Sequence, residues 1–434
     1  MTARKKWILG AAAAVLLVLV AGGAVFALTR PPEDVNNEDV AFEAEPTVTA
    51  EPTPAPTEPP AKSKAQDPLR NFVWAGYGYS KDRRRFLPAS KLLRPPFRRV
   101  WTYPGSILME FSPAMAEGKL FLLRNNGALH AVDKRTGKAV WKKKIGVLAA
   151  STPAYGNGRI FATVLSRGKG KAGAVFALDA KTGKILWKRL LPSRSESSPV
   201  FDGDRIYFGS ENGTVYNLRA GDGAVRWTFK AQGAVKAGLA LANGKLFFGD
   251  YKGRVYAIRQ PDGKQIWAST TRGARFGLGS GQFYSTPAVA YGRVYVGNTD
   301  GRMYSFSSAN GKLAWTKGTG SYVYSSPAVA QVAGGKPSVF FGSYDGYFYA
   351  VDARNGKQLW RYRDGGKISG APTVVGDIVY YSNWGKKTTT GLGVRTGRKV
   401  FGMGRGAFNP VISDGRTIFL TGYSSLYALR PVKK

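Results

Sequence analysis

The chain of 434 residues contains no cysteine and a single histidine, His130. Without cysteine it can form no disulfide, no Cys-x-x-Cys-His haem site and no lipid-modified cysteine anchor. A Ser-His-Asp hydrolytic site would have to use His130, which stands between apolar Leu129 and Ala131 in an alternating strand pattern, and there is no Gly-x-Ser-x-Gly elbow. We therefore expect His130 to be structural and predict no catalytic residue, no metal site and no cofactor.

Acidic residues are also few, with 27 Asp and Glu against 64 Lys and Arg, which gives a formal net charge of +37. Eight of the acidic residues lie in 31–60, so residues 61–434 carry 60 basic and 19 acidic side chains. A field of this size attracts anionic polymers and membrane surfaces. The alternative for each basic run is that it only keeps sheet edges soluble and unpaired. The candidates for a basic surface are Arg83, Arg84, Arg85, Arg98, Arg99, Lys142, Lys143 and Lys144.

No charge interrupts the sequence from Ile8 to Leu28. As a helix this run would be about 31 Å long, enough to cross a bilayer. Basic residues precede it and acidic residues follow it, which predicts a cytoplasmic N-terminus at 1–7, a single-pass signal anchor at 8–28 and an exported body. A signal peptide cleaved after Ala27 is the alternative.

Large apolar residues are rare between Pro31 and Lys64, where Pro, Glu and Thr dominate. Such a composition cannot form a core, so we predict a disordered stalk over 29–64. Residues 65–99 differ because they contain aromatic residues such as Trp74 and Tyr77. We predict that they pack as an N-terminal clasp on a domain formed by 100–434.

That domain is a repeat whose best copies end in Asp-x-x-Thr-Gly or Asp-x-x-Asn-Gly followed by Trp, as in residues 131–141 and 351–360. The period of about 40 to 48 residues is the size of one propeller blade. Asn-Gly and Asp-Gly turns separate runs of alternating apolar residues, which predicts four antiparallel strands per repeat. We expect the closing aromatic to lie on the outer strand and dock on the next blade. It is Trp101, Trp141, Trp187, Trp227, Trp267, Trp315, Trp360 and, in the weakest repeat, Phe401.

The two ends of the repeat region complement each other. The chain ends with three strands that lack a final Trp strand, whereas Arg99 to Tyr103 has the sequence of a fourth strand. We therefore predict an all-β, eight-bladed propeller closed by an N-terminal outer strand. Seven blades are the alternative if the repeat near Phe401 is not a blade.

These repeats resemble the pyrroloquinoline-quinone (PQQ) type of propeller. That family includes quinoprotein alcohol dehydrogenases and the propeller lipoprotein of the outer-membrane protein assembly machinery. The resemblance covers roughly Val100 to Arg430 and implies the fold, while the functions on this fold differ widely. A quinoprotein dehydrogenase implies an aspartate base, a calcium ion and, in many members, a disulfide between adjacent cysteines. The absence of cysteine favours the non-enzymatic branch of the family.

A candidate site follows from the repeat register. The residues three positions before the proline that opens each inner strand should form a ring near the mouth of the channel; Leu239 replaces that proline in the fourth repeat. Side chains of this kind can recognise a small ligand or a peptide end; alternatively, they only hydrate the channel. Ala150, Ser369 and Ala407 complete the ring, and its candidate ligand-binding members are Glu110, Glu196, Lys236, Tyr284 and Tyr324.

Together these features predict a membrane-tethered, extracytoplasmic and monomeric propeller that acts as a non-enzymatic binding scaffold. Its partner would be an envelope protein, an anionic surface polymer or lipid, and nucleic acid is the least favoured partner. The alternatives are a quinone-dependent dehydrogenase and a small-ligand sensor that uses the channel.

Overall fold

The computed structural model describes residues 33–44, 72–89, 93–170, 172–271, 281–406 and 408–432. All regular structure in these ranges is β-strand, and they contain no helix long and apolar enough to cross a membrane. The predicted membrane helix at 8–28 lies outside the described residues.

The strands form eight sheets. Two strands, β1 (Phe86–Leu87) and β2 (Phe97–Tyr103), precede the first blade. Blades 1 and 2 contain β3 (Ala114–Ala116), β4 (Lys119–Leu123), β5 (Ala128–Asp133), β6 (Ala139–Lys144), β7 (Ala154–Gly156), β8 (Arg159–Val164), β9 (Ala174–Asp179) and β10 (Ile185–Leu190). Blades 3 and 4 contain β11 (Val200–Asp202), β12 (Arg205–Gly209), β13 (Thr214–Arg219), β14 (Val225–Lys230), β15 (Ala240–Ala242), β16 (Lys245–Gly249), β17 (Arg254–Arg259) and β18 (Gln265–Thr270).

The second half of the ring repeats this plan. Blades 5 and 6 contain β19 (Ala288–Ala290), β20 (Arg293–Asn298), β21 (Arg302–Ser307), β22 (Leu313–Gly318), β23 (Ala328–Ala330), β24 (Ser338–Gly342), β25 (Tyr347–Asp352) and β26 (Gln358–Arg363). Blades 7 and 8 contain β27 (Thr373–Val375), β28 (Ile378–Asn383), β29 (Thr388–Gly393), β30 (Lys399–Met403), β31 (Val411–Ser413), β32 (Ile418–Thr421) and β33 (Leu426–Pro431).

The ring closes as the sequence predicts. Strand β2 pairs antiparallel with β33, from Phe97 opposite Pro431 to Tyr103 opposite Leu426, and so supplies the outer strand of blade 8. The repeat that ends at Phe401 forms a full four-stranded sheet, to which β1 adds in parallel. The prediction of eight four-stranded antiparallel blades is confirmed, and the seven-bladed alternative is wrong.

The turn before each outer strand explains the Asp-x-x-Thr-Gly motif. In blade 2, Asp179 Oδ1 accepts hydrogen bonds from the Thr182 amide at 2.7 Å and the Thr182 hydroxyl at 2.7 Å. These bonds lower the pKa of Asp179. Gly183 has φ +73°, which favours glycine, and a side chain there would collide with Trp141 of blade 1.

The seven predicted tryptophans join neighbouring blades in one way. The indole of Trp187 in blade 2 donates a hydrogen bond to the Ala220 carbonyl of blade 3 at 3.0 Å. Its ring covers Gly223, where an added Cβ would lie 2.7 Å from the indole. The equivalent indole bonds are Trp101 to Lys134, Trp141 to Ala180, Trp227 to Gln260, Trp267 to Ser308, Trp315 to Ala353 and Trp360 to Val394.

Residues 33–44 pack on blade 5, although the sequence predicts a disordered stalk here. The Thr316 amide donates to the Val35 carbonyl at 3.0 Å, and the Asn37 amide donates to the Ala314 carbonyl at 2.6 Å. The segment thus lies along the outer edge of β22. Docking is favourable because it satisfies main-chain groups that an edge strand otherwise exposes.

Apolar side chains of the same segment reach the groove between blades 5 and 6. Val40 and Phe42 pack on the buried cluster shared by these blades, and Phe42 stacks on Tyr291 with ring centroids 5.1 Å apart. Arg354 of blade 6 lies 5.3 Å from the Phe42 ring centroid. These apolar contacts add to the main-chain pairing with β22 in anchoring this part of the predicted stalk.

The clasp follows the inner strands around the ring and closes one end of the channel. We call this end the clasp face and the opposite end the mouth face. The mouth face carries the loops that enter the inner strands and the turns between second and third strands. The main-chain bonds join Trp74 to Met115, Ala75 to Tyr155, Lys81 to Leu241, Asp82 to Val289, Arg84 to Val329 and Arg85 to Val374.

The prediction that Arg83 and Arg85 belong to a basic surface is wrong, since they are 3% and 1% exposed. The Arg83 guanidinium donates to the carbonyls of Leu239, at 2.9 Å, and Tyr77. Arg85 donates to the Pro327 carbonyl at 3.2 Å, and its guanidinium carbon lies 4.3 Å from the Tyr77 ring centroid. Burial and the neighbouring Arg85 lower the pKa of Arg83 to about 9. Arg83 and Arg85 therefore hold the clasp in place instead of facing solvent.

The other basic candidates lie on the perimeter. Arg84 is partly buried and pairs with Asp82 at 2.9 Å. The remaining five are exposed on β2 and β6, the outer strands of blades 8 and 1. They are Arg98, Arg99, Lys142, Lys143 and Lys144.

We predict that Trp315→Ala lowers the melting temperature more than Trp187→Ala. Each indole donates an equivalent hydrogen bond to the next blade and covers an equivalent glycine. Trp315 is fully buried, because residues 36 and 37 lie over β22, whereas Trp187 is only partly buried. Truncating a buried Trp costs about 3–5 kcal/mol. Thermal unfolding followed by circular dichroism measures the melting temperatures of both variants. Equal effects would show that residues 33–44 add no stability to blade 5.

Candidate functional site

The channel widens towards the mouth face into a cavity of about 240 Å³. Seven of the eight loops that enter inner strands contribute to its lining, together with Tyr77 of the clasp as its floor. The five candidate side chains predicted from the repeat register all line it: Glu110, Glu196, Lys236, Tyr284 and Tyr324.

The lower part of the cavity is ringed by hydrogen bonds between adjacent loops. The Gly238 amide donates to the Thr286 hydroxyl at 2.9 Å, and the Thr286 amide donates to the Ser326 hydroxyl at 2.9 Å. The Tyr77 hydroxyl lies 3.3 Å from the Ser326 Oγ and donates to Asn409 Oδ1 at 3.5 Å. These contacts fix the loops, so the side chains above them stand on a rigid base.

An ion cluster forms one wall. Lys236 Nζ lies 3.0 Å from Glu196 Oε1 and 3.1 Å from Glu211 Oε1. Burial alone would lower the pKa of Lys236, but the two carboxylates outweigh it and raise the pKa. The Tyr284 hydroxyl donates to Glu196 Oε2 at 3.1 Å. Burial, Glu196 and Glu110 raise the pKa of Tyr284 far above its usual range, so the phenol stays protonated.

Glu110 is a second carboxylate on the lining. Its Oε2 accepts a hydrogen bond from Asn125 at 3.1 Å, and its main-chain carbonyl accepts one from Asn409 at 2.9 Å. Burial raises the pKa of Glu110, the bond from Asn125 lowers it, and the charge of Glu196 raises it further. The net effect is a raised pKa, as expected where two carboxylates share a desolvated space.

Aromatic rings adjoin the ion cluster at Tyr284 and continue to the rim of the mouth. Tyr284 and Tyr324 meet edge to face with centroids 5.8 Å apart, and Tyr324 lies 5.0 Å from Tyr344. Tyr322, which is 50% exposed, extends the cluster to the surface. Rigid amphipathic rings of this kind are typical of binding surfaces.

Sequence reasoning missed several lining residues. Tyr344 lies in a turn between second and third strands, a position that the register argument did not consider. Phe408 follows the predicted ring position by one residue. The repeated Ser-Pro and Thr-Pro pairs that form the floor were the available signal for Ser198, Thr286 and Ser326.

The chain matches the family model described as outer membrane protein assembly factor BamB over residues 98–228 and 211–433. It belongs to this family. No curated protein matches the chain by sequence. BamB from Moraxella catarrhalis is similar in structure, with a TM-score of 0.62, 18% identity, and coverage of 77% of this chain and 99% of that one.

Enzymes share the fold of this BamB-family chain. The quinohemoprotein alcohol dehydrogenase ADHIIG from Pseudomonas putida HK5 has a TM-score of 0.70 and 13% identity, covering 84% of this chain and 81% of its own. A europium-containing methanol dehydrogenase has a TM-score of 0.67 and 13% identity, covering 83% and 98%. At these identities the likeness concerns the fold alone.

The cavity does not fit pyrroloquinoline quinone, the cofactor that gives the repeat its name. This quinone carries three carboxylates, which would meet Glu110 and Glu196 on the lining. The basic side chain of the described lining, Lys236, is already paired with two glutamates. Within the described ranges, no group of three or more His, Cys, Asp and Glu side chains is placed to hold a metal ion.

His130 lies between blades 8 and 1, outside the cavity lining. Its Nδ1 is 2.8 Å from the hydroxyl of Tyr103 on the closing strand β2, and the two rings meet edge to face. Burial, followed by the charges of Arg124 and Lys142, lowers the pKa of His130 to about 4. The imidazole is therefore neutral at neutral pH.

We predict that His130 makes the fold sensitive to acid. Between the unfolded pKa of about 6.5 and the folded value of about 4, the unfolded chain binds a proton that the folded chain does not, so stability falls as the pH is lowered through this window. His130→Gln should reduce the loss of melting temperature between pH 7 and pH 4.5. If the variant and the natural chain lose the same amount, another group controls acid stability.

Proposed function

We propose that the protein is a membrane-tethered, extracytoplasmic propeller that acts as a non-enzymatic scaffold and holds a partner protein at its mouth face. The observation that carries this proposal is the mouth cavity itself. It is closed below by the clasp, rigid at its floor, and lined by carboxylates and tyrosines that are held in place by their neighbours. Membership of the BamB family supports a role in protein binding.

The cavity favours a chain end or a loop of a partner over a large ligand. At about 240 Å³ it is smaller than the roughly 300–1,000 Å³ typical of pockets that enclose a drug-sized molecule. The tyrosine cluster continues from the cavity to the exposed Tyr322, so a bound segment would remain in contact with the protein as it leaves the cavity. A small-ligand sensor has no such need for an aromatic surface outside the cavity.

The tether follows from sequence. The apolar run from Ile8 to Leu28 has the length and flanking charges of a single-pass anchor with the propeller outside. The docked residues 33–44 would keep the propeller near that anchor, since few residues separate Leu28 from Glu33.

We expect the full-length chain to stay in the membrane pellet after extraction with alkaline carbonate, because a spanning helix is not released by high pH. Deletion of residues 8–28 should move the protein to the supernatant. The fractions can be measured by immunoblotting. Release of the intact chain by carbonate would contradict the tether.

A pull-down tests the scaffold. The full-length chain in detergent, incubated with solubilised envelope, should retain a protein partner at physiological salt. Tyr324→Ala and Glu196→Gln should each reduce the recovery several-fold, because each removes part of the wall of the cavity. Val225→Ala, an exposed position on the outer strand of blade 3, is the matched control. Bound proteins and anionic polymers are both quantified.

Two results would contradict the scaffold. Recovery of polymer or lipid alone, lost as salt rises, would assign the binding to net charge. Equal recovery by the Tyr324 and Val225 variants would place the partner elsewhere on the propeller.

A further inference from the structure

The docked segment fixes where the chain joins the ring. Asp34 lies at the mouth end of β22, where its Oδ1 accepts a hydrogen bond from the Gly318 amide at 2.6 Å. The same carboxylate pairs with Arg302 at 3.0 Å and Lys317 at 3.3 Å. The side chain of Arg302 is 4% exposed and that of Asp34 is 41% exposed, so a buried guanidinium meets a carboxylate at the surface. The chain therefore reaches the propeller at the mouth rim of blade 5.

The distance from the proposed anchor to this point is short. Leu28 and Glu33 are five residues apart in sequence, which allows at most about 17 Å of extended chain. On its way to the propeller the chain crosses one polar headgroup layer, which is roughly 5–7 Å thick. If residues 8–28 span the membrane, the mouth rim of blade 5 comes within reach of the lipid headgroups.

The rim next to this point carries exposed aromatic side chains. Tyr322 belongs to the loop that follows β22, and Tyr423 in blade 8 is 37% exposed. Between them, Trp384 of blade 7 stacks on Phe408 at 4.5 Å and on Tyr423 at 5.8 Å between ring centroids. Tyr and Trp are the residues enriched at the boundary between lipid and water.

Lysines accompany these rings. Lys387 Nζ lies 4.9 Å from the Tyr423 ring centroid, and Lys367 Nζ lies 5.4 Å from that of Tyr344. Both lysines are exposed, as are two further basic residues of the same rim, Arg363 and Arg405. Basic side chains beside interfacial aromatics are attracted to anionic headgroups.

The acidic residues of this rim are engaged within the fold. Asp345 accepts hydrogen bonds from the Gly320 amide at 2.8 Å and the Tyr349 hydroxyl at 2.7 Å. Asp364 accepts one from the Tyr381 hydroxyl at 3.1 Å and pairs with Lys386 at 3.5 Å. The charge presented outward is therefore positive.

We propose that the mouth rim of blades 5 to 8 is seated on the surface of an anionic lipid bilayer. This inference rests on the proposed membrane tether and goes beyond it, because it names the lipid-facing surface and its charge requirement. It places blades 2 and 3, which lie opposite blades 6 and 7 in the ring of eight, farthest from the membrane. The cavity then opens beside the bilayer, so its partner is a protein that lies in or on the same membrane.

The absence of cysteine allows a direct test. Tyr322→Cys and Val225→Cys provide single labelling sites on the rim and on the outer strand of blade 3, where Val225 is 43% exposed and Tyr322 is 50% exposed. Each full-length variant carries an environment-sensitive fluorophore and is reconstituted in phosphatidylcholine vesicles with phosphatidylglycerol and a lipid-bound quencher. Quenching at position 322 should exceed quenching at position 225 several-fold. Equal quenching at the two positions would overturn the proposal.

Charge variants separate lipid contact from simple nearness to the anchor. Lys367→Glu combined with Lys387→Glu should reduce quenching at position 322 to the level found in vesicles of phosphatidylcholine alone. The matched control is Lys181→Glu combined with Lys184→Glu in the turn before β10 of blade 2, where both lysines are exposed, and it should leave quenching unchanged. Equal effects of the two pairs would overturn the requirement for charge at the rim. Melting temperatures confirm that all variants are folded.

Carbonate extraction of the same vesicles distinguishes this proposal from the one on which it rests. A chain that is released has no tether, and the proposed function then fails. A chain that is retained but quenched equally at both positions has a tether without a lipid-seated rim. In that case the aromatic rim is left for a protein partner.

Discussion

The contact on which the ring depends is the tryptophan of one blade lying over the glycine turn of the next. Each indole donates a hydrogen bond to a main-chain carbonyl and covers a glycine that has no room for a side chain, as Trp187 does with Ala220 and Gly223. The motif therefore belongs to the interface between blades more than to any single blade. Where Phe401 replaces Trp, the indole donor is lost, and the ring packs against Phe97 and Tyr380 instead.

The sequence was informative where the repeat imposed a register. The spacing of Trp and Asp-x-x-Thr-Gly predicts eight blades, and the unmatched Arg99 to Tyr103 strand predicts how they close. The same register brought Glu110, Glu196 and Tyr284 to one cavity, because equivalent positions of a propeller face a common axis. What lay between the repeats could be inferred only from composition.

Composition misled at two places, for different physical reasons. Arg83 and Arg85 belong to a basic run of the kind that is usually exposed. In the clasp, however, they donate hydrogen bonds to main-chain carbonyls beside the inner strands, and Arg85 lies over the ring of Tyr77. Residues 33–44 are polar on average, yet they dock through main-chain pairing with the edge of β22 and the contacts of Val40 and Phe42 in the adjoining apolar groove. In both cases the deciding partner is distant in sequence, and no local pattern reveals it.

Closure by β2 also sets the order in which the protein can be completed. The strand that finishes blade 8 is made before blade 1, whereas its partner β33 is made after blades 1 to 7 and the first two strands of blade 8. Until β33 arrives, β2 has no neighbour in its sheet, and blade 8 cannot exist. Strand β2 therefore stays unpaired in its sheet while seven blades are made. The early strand is thus the feature most in need of protection from misplaced pairing during biogenesis.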